Sequence, residues 1–201
     1  MKIVFFGDSV TDAGRNFGDP KSLGEGYVKM IAERLPALYP GRELEILNRG
    51  VGGDRTEQLL ARIEPDVIIE QPDIIVLEVG INDVWHRFLI GVVVSEEQFR
   101  DNYETLVTQL KGTGAKIIIL QPYALRVENE ELLRPYLDSF NLILGEIAAR
   151  EQLPVIALDE IFRTAAREAD PALFASDGIH PTPHGCSCIA DLVIEELKKY
   201  L

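Results

Sequence analysis

Short runs that are apolar at every position, not at every second one, recur along this chain and alternate with segments of helical periodicity. Ile74-Ile75-Val76-Leu77 and Ile117-Ile118-Ile119-Leu120 are the clearest. A strand apolar on both sides of its pleat has to be covered on both faces, as in a parallel sheet flanked by helices. Strands are therefore expected at Lys2–Phe6, Glu43–Asn48, Ile74–Val79, Lys116–Leu120 and Leu153–Ala157.

Helical patterns fill the intervals. Gly26–Leu38 stops before Pro40-Gly41, and Thr56–Ile69 carries Leu59, Leu60 and Ile63 at helical spacing. Ser95 with Gln98 reads as a capping box opening a helix to about Leu110. Two more are expected over Glu130–Arg150 and Pro183–Tyr200. This alternation predicts a three-layer α/β/α sandwich, with a five-stranded parallel sheet in flavodoxin-like order. Residues 1–201 show no linker or internal repeat and read as a single domain.

The balance of 46% apolar and 26% charged residues fits a globular chain of this length. A net charge of −13 disfavours nucleic acid and anionic lipid as partners and leaves neutral small molecules as natural substrates. No apolar run approaches the roughly 18 residues of a membrane span. The short run after Met1 is no signal peptide, so a cytoplasmic location is expected. Cys186 and Cys188 stand at a spacing that does not favour a bridge and read as packing residues.

In an open parallel sheet, ligands bind beyond the carboxyl ends of the strands. Four segments there carry unusual residues. Gly7-Asp8-Ser9 follows the first strand, where a serine is either a helix cap or a nucleophile awaiting a base. Asp177-Gly178-Ile179-His180 puts a carboxylate and an imidazole on one short turn, able to serve as that base and its orienting partner. The glycines of Gly50-Val51-Gly52-Gly53 permit close approach of backbone N–H groups to an oxyanion, and no phosphate-loop signature is present. Gly80-Ile81-Asn82-Asp83, read as a loop, offers an amide that donates without titrating.

In this order the four segments resemble the sequence blocks of the SGNH (GDSL-type) hydrolase superfamily across nearly the whole chain. Gly7-Asp8-Ser9 matches the first block, with Val10 where many members have Leu. Gly53 falls on the glycine of the second, Gly80-Ile81-Asn82-Asp83 matches the third and Asp177-Gly178-Ile179-His180 the fourth. The resemblance implies a serine esterase acting through an acyl-enzyme, with Ser9 as nucleophile, His180 as general base and Asp177 orienting it. Ser9 N–H, Gly53 N–H and the Asn82 side chain would form the oxyanion hole, and no metal or organic cofactor is implied.

Leu23–Val28 and Gly80–Trp85 further resemble a subgroup containing intracellular acetylxylan esterases, which implies acetyl esters of carbohydrates and allows a homo-oligomer. Trp85, Asp8 and Arg55 are the candidate substrate-binding residues; Asp12, Asp54 and His184 read as structural. Three rival readings stand beside this one. One is a broader lipolytic esterase, lysophospholipase or thioesterase of the same fold. The second is a metal-dependent phosphohydrolase built on Asp8, Asp12 and Asp83, and the third a non-catalytic flavodoxin-like binding module.

Overall fold

The computed structural model describes residues 1–127 and 130–201. The elements run β1 (Lys2–Gly7), α1 (Ser9–Asp12), α2 (Tyr27–Leu38), β2 (Glu45–Gly50) and α3 (Thr56–Ile63). There follow β3 (Ile74–Glu78), α4 (Ile81–Leu89), α5 (Glu96–Gly112) and β4 (Lys116–Leu120). The chain continues through α6 (Glu130–Glu151), β5 (Val155–Ile156), α7 (Leu158–Ala165) and α8 (Pro183–Leu197). All strand pairs are parallel, in the order β2-β1-β3-β4-β5, the flavodoxin-like winding.

The continuous apolar runs are explained by two separate cores. Val4, Phe6, Ile75 and Leu77 face Leu59 and Ile63 of α3, Phe99 and Leu106 of α5 and Leu144 of α6. Their neighbours Ile3, Phe5, Ile74 and Val76 face the other way, onto Ile31 and Leu35 of α2, Phe162 of α7 and Ile189 and Val193 of α8. Each such buried side chain contributes about 1.5–3 kcal/mol relative to exposure, which is why β1 and β3 tolerate so few polar residues.

The boundaries differ from the sequence expectation in instructive places. β2 starts at Glu45 and extends to Gly50, because its ladder follows β1, from Lys2 opposite Glu45 to Gly7 opposite Gly50. β5 shrinks to Val155–Ile156, since this edge strand pairs only with Ile119 and Leu120. The α3 pattern breaks into a π-helical turn at Glu64–Ile68, with Pro65 early in it. α8 ends at Leu197, short of Tyr200. The segment after Gly80 is no loop: it is α4, entered through Gly80 at φ 134°. α1 and α7 were not legible as helices. No helix is long and apolar enough to cross a membrane among the described residues.

Candidate active site

The carboxyl ends of β1, β2 and β3 bring three of the four sequence segments together. Gly7 ends β1 with no room for a side chain, since a Cβ there would lie 2.4 Å from both Glu78 O and Thr11 Oγ1. The tight passage leads into Asp8, whose Oδ1 accepts the Val10 N–H at 3.0 Å and caps α1. Ser9 is the first residue of that helix and is half-buried.

The glycine segment is tied to the same turn. Asn48 Nδ2 donates to Thr11 O at 2.8 Å and to Leu23 O at 2.8 Å, and Gly52 N–H donates to Asp12 Oδ2 at 3.0 Å. Gly53 follows with φ 84°, a left-handed conformation that glycine adopts without strain. Among the described residues, neither the Ser9 N–H nor the Gly53 N–H has a protein acceptor.

Asn82 lies in the first turn of α4, 7% exposed, with Nδ2 donating to Asp54 O at 3.0 Å. Asp83 is buried and accepts the Thr56 hydroxyl at 2.6 Å and the Thr56 N–H at 3.1 Å. Burial pushes its carboxyl up to about 6, against the bonds from Thr56 that pull it down.

The fourth segment arrives from the turn before α8. Asp177 Oδ1 accepts the N–H groups of Ile179 and His180 at 2.9 and 2.7 Å, while Oδ2 lies 2.6 Å from His180 Nδ1. His180 Nε2 lies 2.9 Å from Ser9 Oγ. Partial burial pushes the Asp177 carboxyl up, but the bonds from His180 and the two N–H groups outweigh it and hold it below the ordinary value. A carboxylate accepts only, so Nδ1 carries the ring proton and Nε2 is left to accept from the serine hydroxyl. Beside this line opens a cavity of about 250 Å³, bounded by Val10, Ala13, Gly26, Pro181, Pro183 and Cys186, with Glu25 at its edge.

The candidate substrate contacts fare differently. Asp8 is fully buried and faces Glu78, so it does not meet substrate; the backbone turn that exposes Ser9 turns its neighbour inward. Arg55 pairs with Glu57 at 3.0 Å and its side chain is only 16% exposed. Trp85 is half-buried against the sheet's α3 and α5 side. Asp12 and Asp54 brace the loops, as read, and His184 packs on Phe174. Cys186 is buried and Cys188 half-buried, both free. Among the described residues no group of three or more His, Cys, Asp or Glu is arranged to hold a metal ion; Asp83 accepts from Thr56, and Asp8 holds the Val10 N–H through Oδ1 alone.

Sequence reasoning missed two residues. Arg62 reaches Gly7 O, Arg49 O, Asp54 and Asp66 at 2.6–2.8 Å, joining both glycine-bearing strand ends. Glu78 is the buried acid that closes β3, and its one signal was a charge ending an otherwise apolar run.

A flavodoxin-ordered sheet presenting serine, imidazole and carboxylate in line at its carboxyl edge is the architecture of a serine ester hydrolase. The chain belongs to the GDSL-like lipase/acylhydrolase family, whose sequence pattern matches residues 5–187. It is 29% identical to an acetylxylan esterase of Geobacillus stearothermophilus, over 98% of this chain and 93% of the relative. The crystal structure of Axe2, an acetylxylan esterase from that organism, superposes with a TM-score of 0.89 at 28% identity, over 98% and 93% of the two chains. Catalytic mutants of Axe2 carry alanine in place of a serine, an aspartate or a histidine. LAE5, an alpha/beta hydrolase from the metagenome of Lake Arreo, matches equally well, with a TM-score of 0.89 and 30% identity over 96% and 93%. Thioesterase 1/protease 1/lysophospholipase L1 of Escherichia coli K12 is 24% identical over 98% and 89%. The protein is a serine-dependent carboxylic ester hydrolase of the SGNH kind, acting on small-molecule esters.

Proposed function

We propose that this enzyme removes short acyl groups, chiefly acetyl, from carbohydrate alcohols such as acetylated xylo-oligosaccharides, with Ser9, His180 and Asp177 as its catalytic triad and residues 1–201 as one catalytic domain. The observation that carries the reading is the line from Asp177 Oδ2 through His180 to Ser9 Oγ, with steps of 2.6 and 2.9 Å. His180 Nε2 takes the hydroxyl proton as Ser9 Oγ bonds to the ester carbonyl carbon, and Asp177 stabilises the imidazolium that results. The imidazolium then gives its proton to the departing alcohol oxygen as the C–O bond breaks. Water repeats the sequence on the acyl-enzyme and releases the acid.

The developing oxyanion needs donors that are already in place. Among the described residues Ser9 N–H and Gly53 N–H are without protein acceptors, and Asn82 has only to turn its amide from Asp54 O. Each such donor contributes about 3–4 kcal/mol in the transition state.

Three observations support the acyl and alcohol assignment: the acetylxylan esterase relatives, the compact cavity walled by Val10, Ala13 and two prolines, and a net charge of −13 that favours a neutral alcohol. A lipolytic reading has its own support in the exposed Phe88, Leu89, Ile90 and Val93 beyond Asn82, an apolar surface a longer acyl chain could follow. Rates on matched acetyl and octanoyl esters, with acetate release from acetylated xylo-oligosaccharides, decide between them. A clear acetyl preference with acetate release is expected; faster octanoyl hydrolysis overturns the carbohydrate assignment.

A further inference from the structure

Directly beneath the Ser9 turn lie two carboxyl groups that the ester chemistry does not use. Gly7 pairs with Glu78 across β1 and β3, so Asp8 and Glu78 enter the interior side by side. Both are buried, at 0% and 2% exposure. Asp8 Oδ1 holds the Val10 N–H, but its Oδ2 is sealed from solvent and, among the described residues, has no hydrogen-bond donor. Glu78 Oε2 accepts the Thr11 hydroxyl at 3.3 Å, so both carboxyl groups sit against the same α1 turn.

Among the described residues no cationic side chain bonds to either carboxyl group. Thr11 comes from α1, Tyr27 from α2, Tyr103 from α5, Tyr123 from the segment after β4 and Asp83 from α4: all are neutral or acidic. The guanidinium of Arg62 reaches only the backbone here, at Gly7 O. Two bare carboxylates in such a place repel one another and lose their hydration, whereas one proton between them removes the repulsion and gives Oδ2 its missing partner.

We propose that Asp8 and Glu78 are bridged by a single proton and act as a positioning unit for the nucleophile turn, so that loss of the bridging proton in alkaline solution displaces the cap on Val10 and, with it, Ser9. Burial and the neighbouring carboxyl push Asp8 well above the ordinary aspartate range, and burial raises Glu78 to about 7, in keeping with a proton retained above neutrality. The inference rests on Ser9 being the nucleophile only for its kinetic consequence; the bridge itself is a property of the fold.

Infrared spectroscopy at about pH 8 tests the bridge, because ordinary carboxyl groups are ionised there and a protonated C=O stretch reports the pair. The band is expected in the wild type and in Ser9→Ala, and is expected to vanish in Glu78→Gln and in Asp8→Asn. Its absence from the wild type overturns the proposal, whether or not either variant folds. The positioning role is read from pH profiles: wild-type kcat should fall about tenfold per pH unit once the bridging proton leaves, with KM steady. In Glu78→Gln, whose amide supplies a hydrogen that cannot titrate away, that alkaline limb should disappear. A limb unchanged in Glu78→Gln, or in Asp8→Asn if Glu78→Gln does not fold, overturns the role. Full activity in Ser9→Ala would instead refute the nucleophile assignment and leave the infrared result standing.

Discussion

The Asp83 carboxylate accepts the Thr56 hydroxyl at 2.6 Å and so joins the start of α4, which carries Asn82, to the start of α3, which follows Gly53. Two of the proposed oxyanion donors are thus held in register by a contact made by neither. Asp83→Ala removes a buried charge-assisted bond and should cost about 2 kcal/mol of stability, lowering Tm by several degrees. In kinetics it should lower kcat more than it raises KM. A thermal melt and a Michaelis curve check both.

Asp83 also predicts how stability varies with pH. Its carboxyl is raised by burial from 3.8 to about 6, so the folded state holds its proton more tightly than the unfolded chain does. The stability this contributes is complete below the unfolded value and is lost as pH rises through about 6. Tm should therefore decline between about pH 4 and pH 7, and the decline should be shallower in Asp83→Asn. Melting curves across that range measure it.

Ser9→Ala and His180→Ala should each reduce kcat by about 10⁴ or more, since members of a triad act as a unit. Ser9 is half-buried and the His180 side chain is 55% exposed, so neither change should lower Tm appreciably. A fluorophosphonate probe should label the wild type at Ser9 and leave Ser9→Ala unmodified, read by intact mass. Labelling elsewhere, or retained turnover in either variant, would remove these residues from the proposed triad.

Asn82→Ala should lower kcat by about 10²–10³ with little change in KM, the signature of a donor used in the transition state. Asn82 is nearly buried, so the melt of this variant has to be recorded beside its kinetics to separate catalysis from folding. Unchanged kcat in a folded variant would take Asn82 out of the oxyanion hole.

His180 serves as base through Nε2, and Asp177 at Nδ1 is what keeps that nitrogen available. Asp177→Asn offers a neutral amide in place of the carboxylate that now fixes the ring tautomer. It should cost roughly 10⁴ in kcat, as orientation and imidazolium stabilisation are lost together. Rate measurements on the plateau, not on the acid limb, make the comparison.

Much of this was legible from residues alone. Continuous apolar runs such as Ile74–Leu77 determined a parallel sheet covered on both faces, because no other common arrangement buries both sides of a strand. The resemblance of four ordered blocks, not any one spacing, pointed to the hydrolase family to which the chain belongs. Adjacent positions nevertheless have opposite fates that no local pattern reports. Ser9 opens onto the cavity, while Asp8 is sealed against Glu78, a residue delivered by a strand formed far along the chain. Asn82 and Asp83 looked like turn chemistry, yet Val84 and Ile81 pack into the core and draw the segment into helix α4. Arg62, an ordinary surface cation in a helical pattern, becomes the tie between two strand ends. Those outcomes depend on contacts between segments distant in sequence, and burial, with the charge states it imposes, exists only once the sheet has brought them together.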